Sequence, residues 1–344
     1  MEHKLTPGNL LNHAGNLCEA GYSTGLVKIY DRKMIKAGKL RIKEWDYYLI
    51  TDGKRAVALT LDDNSYMSMA SASYLDFENP SYTTKSEIKL MSRGKLNFPP
   101  SYEKGDIFYK SKNVEGSFIK EKSRRILKFF YKDFQPGKDF KCELVLTDEP
   151  HDKMVIATPF LKPKHFYYNA KINCMRAEGF VSIGDEVYNF SVDDTLGTLD
   201  WGRGVWTYKN VWYWGSLSCY LDDGRRFGWN IGYGFGDTSK ASENMIFLDG
   251  VCHKLDKVTF NIPKTADGKK YDYMSKWTFT DNEGRFNVEF TPIIDRCDNT
   301  DLLVLCSKQH QVFGKMNGFV ILDDGTRLEV KDKLGFAERV FNKW

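Results

Sequence analysis

Tyr47-Tyr48-Leu49-Ile50-Thr51-Asp52-Gly53-Lys54-Arg55-Ala56-Val57-Ala58-Leu59-Thr60-Leu61-Asp62-Asp63-Asn64-Ser65-Tyr66-Met67-Ser68-Met69-Ala70-Ser71-Ala72 decides the fold class. Three short apolar or alternating runs are separated by Thr51-Asp52-Gly53-Lys54 and Asp62-Asp63-Asn64-Ser65, which are Gly and Asx turn signals. Such punctuation every ten residues or so marks a meander of antiparallel strands. The same grammar returns where residues 143–146 meet Thr147-Asp148-Glu149-Pro150, where residues 277–280 meet Asp281-Asn282-Glu283-Gly284, and where residues 320–322 meet Asp323-Asp324-Gly325. Leu221-Asp222-Asp223-Gly224 and Leu322-Asp323-Asp324-Gly325 read as one hairpin turn used twice.

The fold class is therefore all-β, with short helices expected only at residues 10–20 and 334–342. So many strands call for two antiparallel β-barrels or highly curved sheets, because one open sheet would expose long edges. Two prolines in Thr158-Pro159-Phe160-Leu161-Lys162-Pro163-Lys164 place a boundary there. The expected organisation is a leader over 1–45, a first barrel over 46–160 and a second over 161–344. A barrel of about eight strands can hold one small ligand, which directs attention to a lumen.

A chain of 344 residues is long enough for two domains, and its aromatic content of 15% favours a folded core. Fifty basic and 46 acidic side chains leave a net charge of +4, with the signs interleaved. That pattern does not imply nucleic-acid binding, and Lys120, Lys122, Arg124 and Arg125 read as a solvated strand face. Seven scattered cysteines without a CxxC pair read as small buried thiols of a reduced cytoplasm. No signal peptide and no membrane span are expected from the opening residues or from any apolar run.

Chemistry concentrates in Asp193-Asp194-Thr195-Leu196-Gly197-Thr198-Leu199-Asp200-Trp201-Gly202-Arg203-Gly204-Val205-Trp206 and the following Trp212-Tyr213-Trp214. Gly197, Gly202 and Gly204 suggest a folded loop. If it closes over a cavity lined by Trp201, Trp206, Tyr213 and Trp214, Asp200 among indoles becomes a general acid. Arg203 then orients a substrate oxygen or holds Asp194, the conjugate base or nucleophile. The bland alternative is an Asp–Arg pair that pins a corner.

Three further features supply candidates. In Phe166-Tyr167-Tyr168-Asn169-Ala170-Lys171-Ile172-Asn173 the period of two puts Tyr167, Asn169, Lys171 and Asn173 on one face, either a pocket wall or a solvated surface. Gly228, Gly232, Gly234 and Gly236 leave a strand face bare for a ligand, a backbone or a ring, with Asp237, Glu243 and Asn244 at its rim. His310 and Gln311 lie on another strand, His310 as a possible acid or base. No HExxH, Walker A, nucleophile elbow or His/Cys cluster occurs, so no metal and no cofactor are expected.

Taken together, the segments 40–48, 171–175, 199–206, 232–239 and 310–314 resemble the family called domain of unknown function 2804, over nearly the whole chain. A remoter similarity is to lipocalin-like double-barrel proteins that include carotenoid hydratases, tocopherol cyclases and the AttH-like group. Asp200-Trp201-Gly202 keeps part of their Asp-His-x-Trp-Gly sequence and lacks its histidine. This resemblance implies two calycin-like barrels with a pocket.

Three function classes follow, each with a small-molecule ligand: a hydratase, cyclase or isomerase that protonates a largely apolar substrate; a glycoside-processing enzyme using Asp194 and Asp200 as a carboxylate pair; and a non-catalytic carrier. A mostly apolar cavity with a buried acid marks the first, a polar open cleft the second, and a wholly apolar pocket the third.

Overall fold

The computed structural model describes residues 2–302 and 305–343. Two strongly curved antiparallel sheets, of thirteen and nine strands, account for almost all of it, and a two-stranded ribbon near the N-terminus completes the set. Both segments expected to be helical are something else. Residues 10–20 form turns and an isolated bridge, and residues 334–342 lie inside the strand Arg327–Lys343. Alternation explains the second case: Leu334, Phe336 and Glu338 face the first sheet, whereas Ala337 enters the core of its own sheet. Among the described residues no helix is long and apolar enough to cross a membrane.

The first sheet runs Ser81–Leu90, Met67–Asp76, Arg55–Asp63, Ile42–Thr51, Leu196–Val205, Phe166–Ile183, Lys138–Thr147, Arg125–Gln135, Val114–Lys120 and Ile107–Lys110. It curls until the Gln135 side-chain amide donates to Thr83 Oγ1 at 3.0 Å. Its concave interior is filled, with Tyr48, Leu59, Leu127, Phe140, Tyr168 and Trp201 all but inaccessible. The expected lumen is therefore packed side chain. The second sheet runs Val251–Lys254, Met245–Leu248, Arg226–Tyr233, Lys209–Tyr220, Arg327–Lys343, Leu305–Ile321, Phe286–Leu302, Trp277–Asp281 and Val258–Asn261, over a core of Trp229, Trp277, Phe279 and Phe290.

The change of sheet falls between Val205 and Lys209, not near residue 160. Phe166–Ile183 and Leu196–Val205 are central strands of the first sheet, because their alternating apolar residues complete its core. The leader is also tied in, since Gly21–Ser23 pairs with Met154–Pro159. Two smaller apolar clusters join the sheets, one containing Tyr47, Trp214, Phe313 and Phe336 and the other Tyr167, Trp206, Phe235 and Met245.

Two composition-level expectations are corrected. Arg125 is buried, with its guanidinium donating to Tyr102 O and Glu149, and Lys120 shares Glu149; only Lys122 and Arg124 are solvated. Among the cysteines, Cys18 and Cys297 are exposed.

Candidate functional site

The residues that face outward from one sheet and toward the other enclose a cleft of about 780 Å³. Odd positions of Ile42–Thr51 contribute Trp45 and Tyr47, even positions from Thr60 to Asn64 contribute Thr60, Asp62 and Asn64, and Phe166–Ile183 contributes Tyr167 and Lys171. Across from them stand Trp206, Trp212, Trp214, Phe235, Glu243, Arg296, Gln311 and Glu338. Indole, phenol and thioether surfaces make most of the wall, with charged groups at a few fixed points.

The stretch expected to be a loop is a fully buried strand, Leu196–Val205. Its glycines serve packing: a Cβ at Gly202 would stand 1.9 Å from the Trp45 ring, and one at Gly204 would meet Phe166 O at 2.5 Å. Strand alternation then divides the candidates. Asp200 faces the cleft, while Trp201 and Arg203 face the first core. Arg203 is fully buried, donates to Asp46 Oδ1 at 3.0 Å and to the carbonyls of Trp45, Gly202 and Pro99, and stacks over Trp201 and Phe98. It is a clamp, and its partner is Asp46. Asp194 is exposed in the turn before the strand, where Thr195 Oγ1 donates to it, roughly 20 Å along the chain from Asp200. The two carboxylates are not a pair.

Lys171 and Asp200 lie directly opposite each other in register, and Lys171 Nζ reaches Asp200 Oδ2 at 2.9 Å while sitting 3.6 Å from the Trp214 ring centre. Asn169 Nδ2 donates to Asp200 Oδ1 at 2.6 Å and to Trp201 O. Both Asp200 oxygens are thus engaged, one by the Asn169 amide and one by the Lys171 ammonium. Asn173 leaves the cleft altogether. A bulge with Cys174 at φ +62° turns its amide toward Ser216 Oγ and the carbonyls of Leu217 and Trp229, linking the sheets.

Glu338 supplies the buried acid. It is 4% exposed, its Oε1 accepts the Trp212 indole N–H at 2.8 Å, and its Oε2 accepts from Gln311 Nε2 at 3.1 Å. Gln311 is itself oriented by Arg296 and Tyr47, whose donors converge on its Oε1. Burial pushes the Glu338 carboxyl up to about 7 against the pull of Trp212, Lys171 and Arg296. Glu243 is raised for the same reason, with Lys171 and Asn230 opposing. Gly232 leaves room for it, since a Cβ there would meet Glu243 Oε1 at 2.7 Å. Three carboxylates thus surround one ammonium, and two of them hold their protons more tightly than usual. At Asp62, burial likewise drives the carboxyl up to about 7.

The remaining candidates stand outside. His310 points to the opposite face of its strand, bonded to Asp295 at 2.7 Å and stacked on Tyr273. Tyr213 stacks on Tyr233 and accepts from Arg339 there. Asp237 is exposed and caps Ser239 N, and Asn244 pins Gly232 N to Asp256 O.

Residues 2–344 match the family described as a domain of unknown function (DUF2804). The chain belongs to this family. By sequence it matches no curated protein. Among solved structures it is similar to an AttH-like protein of Nitrosomonas europaea, with 13% identity, a TM-score of 0.54 and coverage of 91% of this chain and 96% of that one. A kievitone hydratase from Nectria haematococca aligns over 98% of both chains at 10% identity with a TM-score of 0.47. The AttH-like likeness shows a shared fold, in agreement with the double-barrel resemblance read from the sequence.

Glu338, Asp62, Trp45 and Arg296 were not expected, and Trp212, quoted within the chemistry-rich stretch, had no role assigned to it. A period of two applied to Leu334-Gly335-Phe336-Ala337-Glu338 sets the carboxyl among apolar residues of one face, which is the signal a helical reading of 334–342 hides.

Proposed function

We propose that the cleft is an acid–base site that protonates a carbon–carbon double bond of a flat, largely apolar small molecule and adds water, or an internal nucleophile, to the resulting cation. The observation that carries this reading is Glu338, a carboxyl enclosed by indoles and raised to about 7, so that it is substantially protonated near neutrality and faces the cleft. Its proton forms the new C–H bond with the π electrons, leaving positive charge on the neighbouring carbon. Trp206, Trp212 and Trp214 line the cleft and set indole surface beside that charge. As a water oxygen bonds to the carbon, its proton passes to Asp200, an acceptor held in place by Lys171 and Asn169. Solvent exchange restores both carboxyls.

A wholly apolar wall would favour a carrier, and the charged groups converging on one end of this cleft favour catalysis instead. The test is an untargeted mass comparison of a small-molecule cell extract incubated with the wild-type protein or with Glu338→Gln. Ion pairs separated by one water and formed only by the wild type are expected. Conversion by both proteins alike, or by neither, counts against the proposal.

A further inference from the structure

The end of the cleft at Asp62 takes no part in the chemistry above, yet it is built as carefully. Asp62 is 7% exposed, and its Oδ1 is inaccessible and has no hydrogen-bond partner among the described residues. It sits on the cleft-facing side of its strand with Thr60 and Asn64, and Tyr66 adjoins it. Through the register Asp200↔Tyr47↔Thr60 this corner lies two strands from Asp200, a separation of roughly 10 Å. Thr60, Met67, Met69 and Ser71, all uncharged, line the wall beside it. An orphan acceptor in a buried carboxyl is costly and is uncommon in folded proteins unless something else satisfies it.

We infer that Asp62, with Asn64 and Tyr66, forms a second polar subsite that accepts a hydrogen bond from a neutral donor, a hydroxyl or an amide N–H, carried by the substrate at the end remote from the reacting double bond. This deepens the proposed function and rests on the cleft being the working site. The charge balance selects a neutral donor over a cation. Lys43, 1% exposed with Nζ 3.5 Å from the Tyr66 hydroxyl, already brings a basic group to this corner. Burial pushes Asp62 up to about 7 and Lys43 down to about 7, and each group's charge opposes the other's shift. A ligand ammonium would meet Lys43, whereas a hydroxyl meets the unpartnered Asp62 oxygen once a small turn of the carboxyl brings it to the cleft. The substrate class is then an elongated apolar molecule with an alkene at the Glu338 end and a hydroxyl or amide at the other.

Equilibrium dialysis of the full chain against naphthol, its methyl ether methoxynaphthalene, and naphthylmethylammonium tests this. The wild type is expected to hold naphthol about tenfold more tightly than the ether, the size of one hydrogen bond to a carboxyl group. The ammonium probe gains nothing over the ether. In Asp62→Leu and in the smaller Asp62→Ala the naphthol preference falls to about one, while Glu338→Gln keeps it. Thermal melts check that both Asp62 variants fold, some loss of stability being expected because Lys43 and Asn64 lose a partner. An unchanged preference in the Asp62 variants overturns the subsite. Loss of the preference in Glu338→Gln alone moves the donor contact to Glu338, which overturns the subsite and leaves the acid–base proposal standing. Failure of every probe to bind overturns both.

Discussion

The Trp212 indole N–H donates to Glu338 Oε1 across 2.8 Å from the neighbouring antiparallel strand, on which Trp214 is the residue directly opposite Glu338. One strand pair therefore fixes both the acid and the rings that face it. Replacing Glu338 by Gln keeps the shape and removes the proton, so turnover of a substrate found by the extract comparison should drop about 10²- to 10⁴-fold with little change in binding. Steady-state kinetics on that compound decide the point.

Trp212→Phe tests the tuning of the acid. The indole donor lowers the Glu338 carboxyl against the larger effect of burial, so its loss raises the group further above 7. Activity that needs the protonated form then persists to higher pH. The alkaline limb of the pH–rate profile should move upward, and a downward or absent shift contradicts the hydrogen bond's role.

Stability should carry the same signature. Glu338 is raised in the folded state above its ordinary value of 4.5, so the folded protein binds the proton more tightly than the unfolded chain. Its contribution is present at low pH and is lost as pH rises through about 7, a change of roughly 3 kcal/mol. Asp62 acts with the same sign over the same window, and Lys43, lowered to about 7, recovers stability above it. Thermal melts of Glu338→Gln should match the wild type near pH 4.5 and exceed it at pH 8.

Arg203 is a stability residue. Arg203→Met strands the buried Asp46 carboxyl and three carbonyls, and denaturant unfolding should show a loss of about 3–5 kcal/mol. Asp46→Asn in the same background should recover part of that loss by removing the unpaired charge.

Gly202→Ala drives a methyl group into the Trp45 ring, which is both packing partner and cleft wall. The expected cost is about 1–3 kcal/mol, together with a displaced tryptophan emission and weaker naphthol binding. Gly53→Ala, in an open turn, should leave the cleft untouched and lose stability only through its φ of +81°.

The turn grammar of residues 47–72 was enough to place the strands, because hairpin turns and alternation are local. Alternation also placed Tyr167 and Lys171 opposite the core residues Tyr168 and Ile172, and both line the cleft. What local reading misplaced was depth. Three glycines in Leu196–Val205 suggested a loop, but each is small because another strand's ring, side chain or carbonyl occupies the space, a fact visible only when distant segments meet. Arg203 sits three residues from Asp200 and hence on the opposite face, so proximity in sequence separated the two in space. Glu338 lies far along the chain from Asp200, and its same-face neighbours Leu334 and Phe336 mark burial without marking which distant residues share the cleft.

The most direct measurement is the carboxyl titration of Glu338 itself, by carbon NMR of protein labelled at the glutamate side-chain carboxyl, assigned by the signal missing from Glu338→Gln. A midpoint close to 7 is expected, moving upward in Trp212→Phe. A midpoint near 4.5, unmoved by the loss of Trp212, would show Glu338 to be an ordinary carboxylate and would remove the acid on which the proposed chemistry stands.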